Sequence, residues 1–202
     1  MNILHISASP RTAGSHSARL AAAIVERLQG IHPRAQVVLR DLSAEPLPHV
    51  DAAYADALAG VARPGAASDA AARSDALITE LEQADALVIG TPMHNFTVPS
   101  VLKSWIDHVL RIHRTFAPSP EGKRGLLRNR PVYLALASGG LFLGEAARQP
   151  DFLTPYLRAV LNTMGLYDLH FFVLQGTVRS EQAAAAWQQA LALLDQRFPR
   201  AA

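Results

Sequence analysis

Ala86-Leu87-Val88-Ile89-Gly90-Thr91-Pro92-Met93-His94-Asn95-Phe96 is the stretch on which the fold turns. Its first half is a short, continuous apolar run, the pattern of a strand buried on both faces. Its second half begins at a proline and then sets a thioether, an imidazole, an amide and an aromatic ring side by side. A loop of that chemistry suits a flat, polar-edged heterocycle better than a bare phosphate. Two similar junctions occur elsewhere. Ser7-Ala8-Ser9 through Ser15-His16-Ser17 follows an apolar run near the amino terminus, and Ala137-Ser138-Gly139-Gly140 follows another. Three ligand-type loops at three strand ends imply one shared site.

Working outward, strand-like runs occur at Ile3-Leu4-His5-Ile6, Val37-Val38-Leu39, Ala86 to Ile89, Val132-Tyr133-Leu134-Ala135-Leu136 and Phe171-Phe172-Val173-Leu174. Between them the apolar period lengthens to three or four. Leu20, Ile24 and Leu28 form one stripe; Leu102, Trp105, Val109 and Ile112 form a second. Leu153, Leu157, Val160 and Met164 form a third, with Gly165 placed as a left-handed helix terminator. Trp187, Leu191, Leu194 and Phe198 close the series. Five βα units in alternation predict a doubly wound, five-stranded parallel sheet with helices on both faces, as one domain over residues 1–202. The segment from Ser43 to about Ser74, with Pro46, Pro48, Pro64 and many alanines, is expected to be an excursion with helical pieces that covers a site or a partner.

Composition narrows the function. The 202 residues carry a net charge of +2 and no cysteine. The basic residues are scattered rather than gathered beside aromatics, which argues against nucleic-acid binding. Without thiols, redox chemistry has to come from a bound cofactor, and disulfides and cysteine-zinc sites are excluded. Neither a leader pattern nor an apolar run of the roughly 20 residues needed to cross a bilayer is present, so a cytoplasmic protein with no membrane partner is expected.

The loops carry the chemistry. Ser9, Ser15 and Ser17 precede or open a helix, where free N–H groups and the helix dipole favour an anion, although Ser15 or Ser17 could equally serve as a helix cap. Neither the G-x-G-x-x-G of dinucleotide folds nor a Gly-Lys-Ser/Thr ending is present, so one terminal phosphate is expected rather than a pyrophosphate. Asp41 reads as a turn residue. Pro92 sets the direction of the second loop, and Met93 to Phe96 can offer N–H groups and an amide to a ring edge, with core packing as the other reading for Met93 and Phe96. Gly139 and Gly140 allow close backbone approach, and Ser138 adds a polar contact. Lys103 and Asp107 read as a solvated pair. The histidines make no metal-binding pattern: His108 and His113 share no helix face, and His5 and His170 read as satisfied structural residues.

The order Ser9, Ser15-His16-Ser17, then Pro92-Met93-His94-Asn95-Phe96, Leu102-Lys103, Trp105-Ile106-Asp107, then Ala137-Ser138-Gly139-Gly140, with Thr154-Pro155-Tyr156-Leu157 and Gly165, resembles the FMN-dependent NADH azoreductases. These are members of the flavodoxin-like quinone reductases. The resemblance spans nearly the whole chain. It implies a flavodoxin-like fold and tight, non-covalent FMN, with Ser9, Ser15, His16 and Ser17 at the phosphate. Pro92, Met93, His94, Asn95 and Phe96 would lie against the ring and ribityl chain, and Ala137, Ser138, Gly139 and Gly140 would contact the ring. It implies NADH or NADPH as donor, quinone or azo acceptors reduced by two electrons in a ping-pong cycle, and a homodimer. No residue is singled out as an acid or base; Asn95 and the loop around Gly139 and Gly140 are the candidates to stabilise charge on the reduced ring. Two positions depart from the family pattern: His94 stands where tyrosine is usual, and no arginine precedes the glycine pair. Rival readings are a flavodoxin-type electron carrier, which the slightly basic charge disfavours, and a flavin-free NAD enzyme, which the missing glycine fingerprint disfavours. Loops near Thr115 to Arg124 and Pro150 to Pro155 are expected to supply the lid.

Overall fold

In the computed structural model, which describes residues 1–11, 14–58 and 67–198, seven strands and six helices are formed by the described residues. The strands are β1 (Asn2–Ser7), β2 (Gln36–Asp41), β3 (Ala86–Pro92), β4 (Phe116–Ser119), β5 (Gly122–Gly125), β6 (Val132–Ala137) and β7 (Leu169–Leu174). The helices are α1 (His16–Ile31), α2 (Ala52–Leu58), α3 (Ala67–Gln83), α4 (Ser100–Val109), α5 (Thr154–Met164) and α6 (Ser180–Arg197). The five apolar runs form one parallel sheet, as expected, and its strand order is β2-β1-β3-β6-β7. A small antiparallel hairpin of β4 and β5 interrupts the alternation.

Side-chain alternation divides each strand between two cores. Leu4, Ile6, Leu87, Ile89, Leu134 and Leu136 pack on one face with Leu77, Ile78 and Leu81 of α3, Trp105 of α4 and Leu157 of α5. Ile3, Ala86, Val88, Tyr133, Ala135 and Phe172 face the other way, against Leu20, Ile24 and Leu28 of α1 and Leu194 of α6. The chain leaves β1 for α1 on one face and β3 for α4 on the other. The crevice at the carboxyl ends of these neighbours is therefore the topological switch point. Gly90 sets the spacing there: a Cβ would stand 2.9 Å from the Ala21 Cβ and 3.3 Å from the Ser17 carbonyl oxygen. Its lack of a side chain lets the first turns of α1 lie directly on β3.

Several expectations need correction. The second helical stripe stops at Val109. Thr115 Oγ1 donates to the Val109 carbonyl at 2.6 Å and accepts from the Arg111 N–H at 2.9 Å, so the chain turns away, and Ile112 is partly exposed beyond the helix. The hairpin around Thr115 to Arg124 lines no part of the cleft described below; a Cβ on Gly125 would lie 2.1 Å from the Gly165 nitrogen, so the hairpin base is seated on the far end of α5. His5 is not satisfied: its Nε2 is buried with no hydrogen-bond partner among the described residues, and burial pushes its pKa down, opposed by the charge of Asp41. His170 does have partners, with Nε2 2.8 Å from Asp168 and 3.1 Å from Arg197.

The excursion after β2 holds α2 and leads to α3; Pro64, with the rest of 59–66, lies outside the described residues. Its first part is tied to α4, where Ser104 Oγ donates to the Pro48 carbonyl at 2.9 Å. Asp41 is a turn residue, its Oδ1 accepting from Ser43 N at 2.9 Å and Ala44 N at 3.1 Å. Gly165 ends α5 at φ 99°, and Lys103 and Asp107 form an exposed pair at 2.6 Å.

Candidate functional site

A cleft of about 480 Å³ opens at the switch point, lined by Ser9, Pro10, Arg11, Ser15, His16, Ser17, Pro92, Met93, His94, Ala137, Gly139, Thr177 and Val178. All three loops singled out in the sequence contribute. No carboxylate lines it among the described residues, whereas two imidazoles and a guanidinium do, so the cleft favours an anion.

One end is the amino terminus of α1. Ser15 is the N-cap, its Oγ accepting from Ala18 N at 3.2 Å and lying 3.4 Å from Ser17 Oγ. Ser9 and Ser17 are buried, at 8% and 1% exposure, and Ser9 Oγ accepts from Arg11 N at 3.3 Å. Ser15 is thus the helix cap, and the hydroxyls of Ser9 and Ser17 stand in the same cleft lining. Thr12 and Ala13, within the loop, lie outside the described residues.

The other end is made where β3 and β6 stop. Met93 N donates to the Ala137 carbonyl at 2.7 Å, and His94 and Thr97 exchange backbone bonds of 2.9 and 3.0 Å around Asn95 and Phe96. Both central residues have positive φ, 47° and 74°, as a tight primed turn requires. Asparagine tolerates this; phenylalanine is strained by it. The expectation that Met93 to Phe96 all offer N–H groups is therefore halved: Met93 and His94 use theirs internally, and those of Asn95 and Phe96 donate to no group among the described residues. Asn95 and Phe96 stand outside the cleft lining, on the exposed turn. Phe96 is not core.

Ser138 and Gly140 lie behind the third loop. Buried Ser138 accepts from Gln149 Nε2 at 3.1 Å and lies 3.8 Å from the Met93 sulfur, stitching the second loop to the third. A Cβ on Gly140 would meet Gln149 Oε1 at 2.5 Å. The third loop is also bound to the turn after β7, with Thr177 N and Oγ1 donating to the Ser138 carbonyl at 3.2 and 3.1 Å. Pro10, Arg11, Thr177 and Val178 join the cleft without having been expected there. The available signal is that β7, like β1, ends in a glycine- and hydroxyl-bearing loop.

The family model for the flavodoxin-like fold matches residues 1–198. A Pseudomonas fluorescens protein named FMN-dependent NADH:quinone oxidoreductase 4 is 55% identical over 185 residues, covering 92% of this chain and 89% of its own. The chain belongs to the flavodoxin-like FMN-dependent NADH:quinone oxidoreductase family. A Burkholderia lata quinone oxidoreductase of the same name, numbered 5, is 49% identical over 191 residues, with 95% of this chain and 93% of its own covered. Among solved structures, an azoreductase from Bacillus anthracis superposes with a TM-score of 0.83 at 26% identity, over 97% of this chain and 99% of its own. In this quinone oxidoreductase chain, the segment from Pro150 to Pro155 stands against the second loop: Phe152 N donates to the Phe96 carbonyl at 3.3 Å, and Asp151 Oδ1 accepts from Leu153 N and Thr154 N at 2.9 Å each, starting α5.

Proposed function

We propose that the cleft holds FMN, with the phosphate among Ser9, Ser15, His16, Ser17 and Arg11 and the ring beside Pro92 to Phe96 and Ala137 to Gly140, within one domain. The protein is an FMN-dependent oxidoreductase that takes electrons from NADH, with quinones and aromatic azo compounds as acceptors. One observation carries the assignment: a cluster of hydroxyls with an imidazole and a guanidinium, and no carboxylate among the described residues, closes the cleft at a helix amino terminus, where a phosphate is best stabilised.

When bound, FMN supplies two-electron transfer between donor and acceptor. The chain supplies position. Ser15 orders the first turn of α1, and Ser9 and Ser17 would donate to the phosphate. The unengaged N–H groups of Asn95 and Phe96 are donors for whatever part of a polar ring edge extends past the cleft lining onto the second loop, and Gly139, in the lining, keeps the third loop's backbone close to the ring. NADH and the acceptor would use the same open side in turn, a ping-pong scheme. We extend the reading to a cytoplasmic homodimer, in which a second copy covers Phe152, 59% exposed beside the second loop. No helix among the described residues is long and apolar enough to cross a membrane.

The test is spectroscopic and kinetic. The purified protein, or the protein supplied with FMN, should show flavin absorption, and initial-rate plots of quinone reduction at several NADH concentrations should be parallel. A colourless protein that FMN cannot reconstitute would overturn the cofactor assignment, and intersecting lines would overturn the shared side.

A further inference from the structure

A second cavity, of about 510 Å³, lies between α1 and α6 and shares His16, Thr177 and Val178 with the FMN cleft. Val178 is 83% exposed, and its Cγ2 lies 2.9 Å from where a Cβ on Gly139 would stand, so the groove begins where the ring-side loop ends. On its floor the Arg19 guanidinium lies 3.8 Å from the centroid of the Trp187 ring. Arg19 has no carboxylate partner among the described residues. A guanidinium placed over an indole can offer a planar cationic face to a purine and an N–H edge to a phosphate. The hydroxyls of Thr177 and Ser180 and the amide of Gln188 add uncharged partners, and no carboxylate among the described residues lines the groove. Its volume falls in the range of small-ligand sites, about 300–1,000 Å³.

We propose that this groove binds the adenosine-phosphate end of the dinucleotide donor, which crosses Val178 from the FMN cleft; the inference rests on the FMN reading above. The same chemistry would be offered by the adenylate half of FAD, and the experiment separates the two sources.

The FMN-loaded protein and its Arg19→Ala variant are titrated with AMP by calorimetry and assayed with NADH and with reduced nicotinamide mononucleotide, which lacks the adenosine phosphate. AMP should bind the parent protein about tenfold more tightly than the variant, and the variant's KM for NADH should rise about tenfold while that for the mononucleotide changes less than about twofold. Trp187→Leu should reproduce the pattern by removing the platform. AMP binding that ignores both substitutions, or equal effects on the two donors, would overturn the groove assignment. A variant with unchanged NADH kinetics whose apo-protein loses affinity for FAD would overturn the donor as the occupant. FMN uptake is scored in the same preparations: a protein that holds FMN but ignores AMP overturns the groove alone, whereas one that takes up no FMN overturns the reading beneath it too.

Discussion

The two ends of the sheet use the same residue types for opposite purposes. At the amino ends of the strands, cations are engaged with the fold. Buried Arg130 donates to the carbonyls of Leu81, Ala84 and Arg128, closing the end of α3, while Arg128 pairs with Asp85 at 3.0 Å and Arg111 with Asp75 at 2.9 Å. At the carboxyl ends, Arg11 and Arg19 have no carboxylate partner among the described residues, and the backbone takes up strain at Phe96, beside Asn95. Cations left without a carboxylate partner mark where a ligand is expected; cations engaged with the fold mark where stability is held.

The contrast is widest at Arg130. Arg130→Met leaves several buried carbonyls without a donor and should cost about 3 kcal/mol of unfolding free energy by chemical denaturation, with FMN affinity unchanged. At the other end the outcome should reverse. Ser17→Ala removes the proposed phosphate donor and should weaken FMN about tenfold to a hundredfold by flavin fluorescence, while apo-protein stability moves by less than about 1 kcal/mol. Phe96→Gly should raise apo-protein stability by about 1 kcal/mol, because glycine accepts the positive φ that strains phenylalanine. A loss of stability there would show that the ring's contacts outweigh the strain.

The smallest effect is at His5. Its folded pKa is held below the unfolded value of 6.5 by burial. The unfolded chain therefore takes up the proton more readily, so the stability present above pH 6.5 declines as pH falls from there towards the folded value. His5→Asn should flatten this part of the pH–stability curve, a difference of less than about 1 kcal/mol.

Much of this arrangement is legible in the sequence because it follows from periodicity. Buried parallel strands give continuous apolar runs, and their order with the amphipathic helices fixes where the loops converge. The hairpin of Phe116–Ser119 and Gly122–Gly125 escapes such a reading because its strands are short, carry Phe116 as their one large apolar side chain and so show no alternating apolar face; the close seating of Gly125 on Gly165 is a tertiary contact. The turn at Asn95 and Phe96 contains no glycine to announce positive φ. Arg11, Thr177 and Gln149 reach the site region from separate loops, and nothing local to any of them signals the others. The end of α4 is obscured because Ile112 keeps the apolar spacing, while Thr115 captures the carbonyls that would have continued the helix.

Binding of the FMN phosphate at the helix end from Ser15 to Ser17 is tested most directly by calorimetric titration of the apo-protein with FMN and with riboflavin, which has the same ring and no phosphate. FMN should bind at least about a hundredfold more tightly, with the gap narrowed by Ser17→Ala. Equal affinities, or a gap that Ser17→Ala leaves intact, would contradict a phosphate site at this helix end.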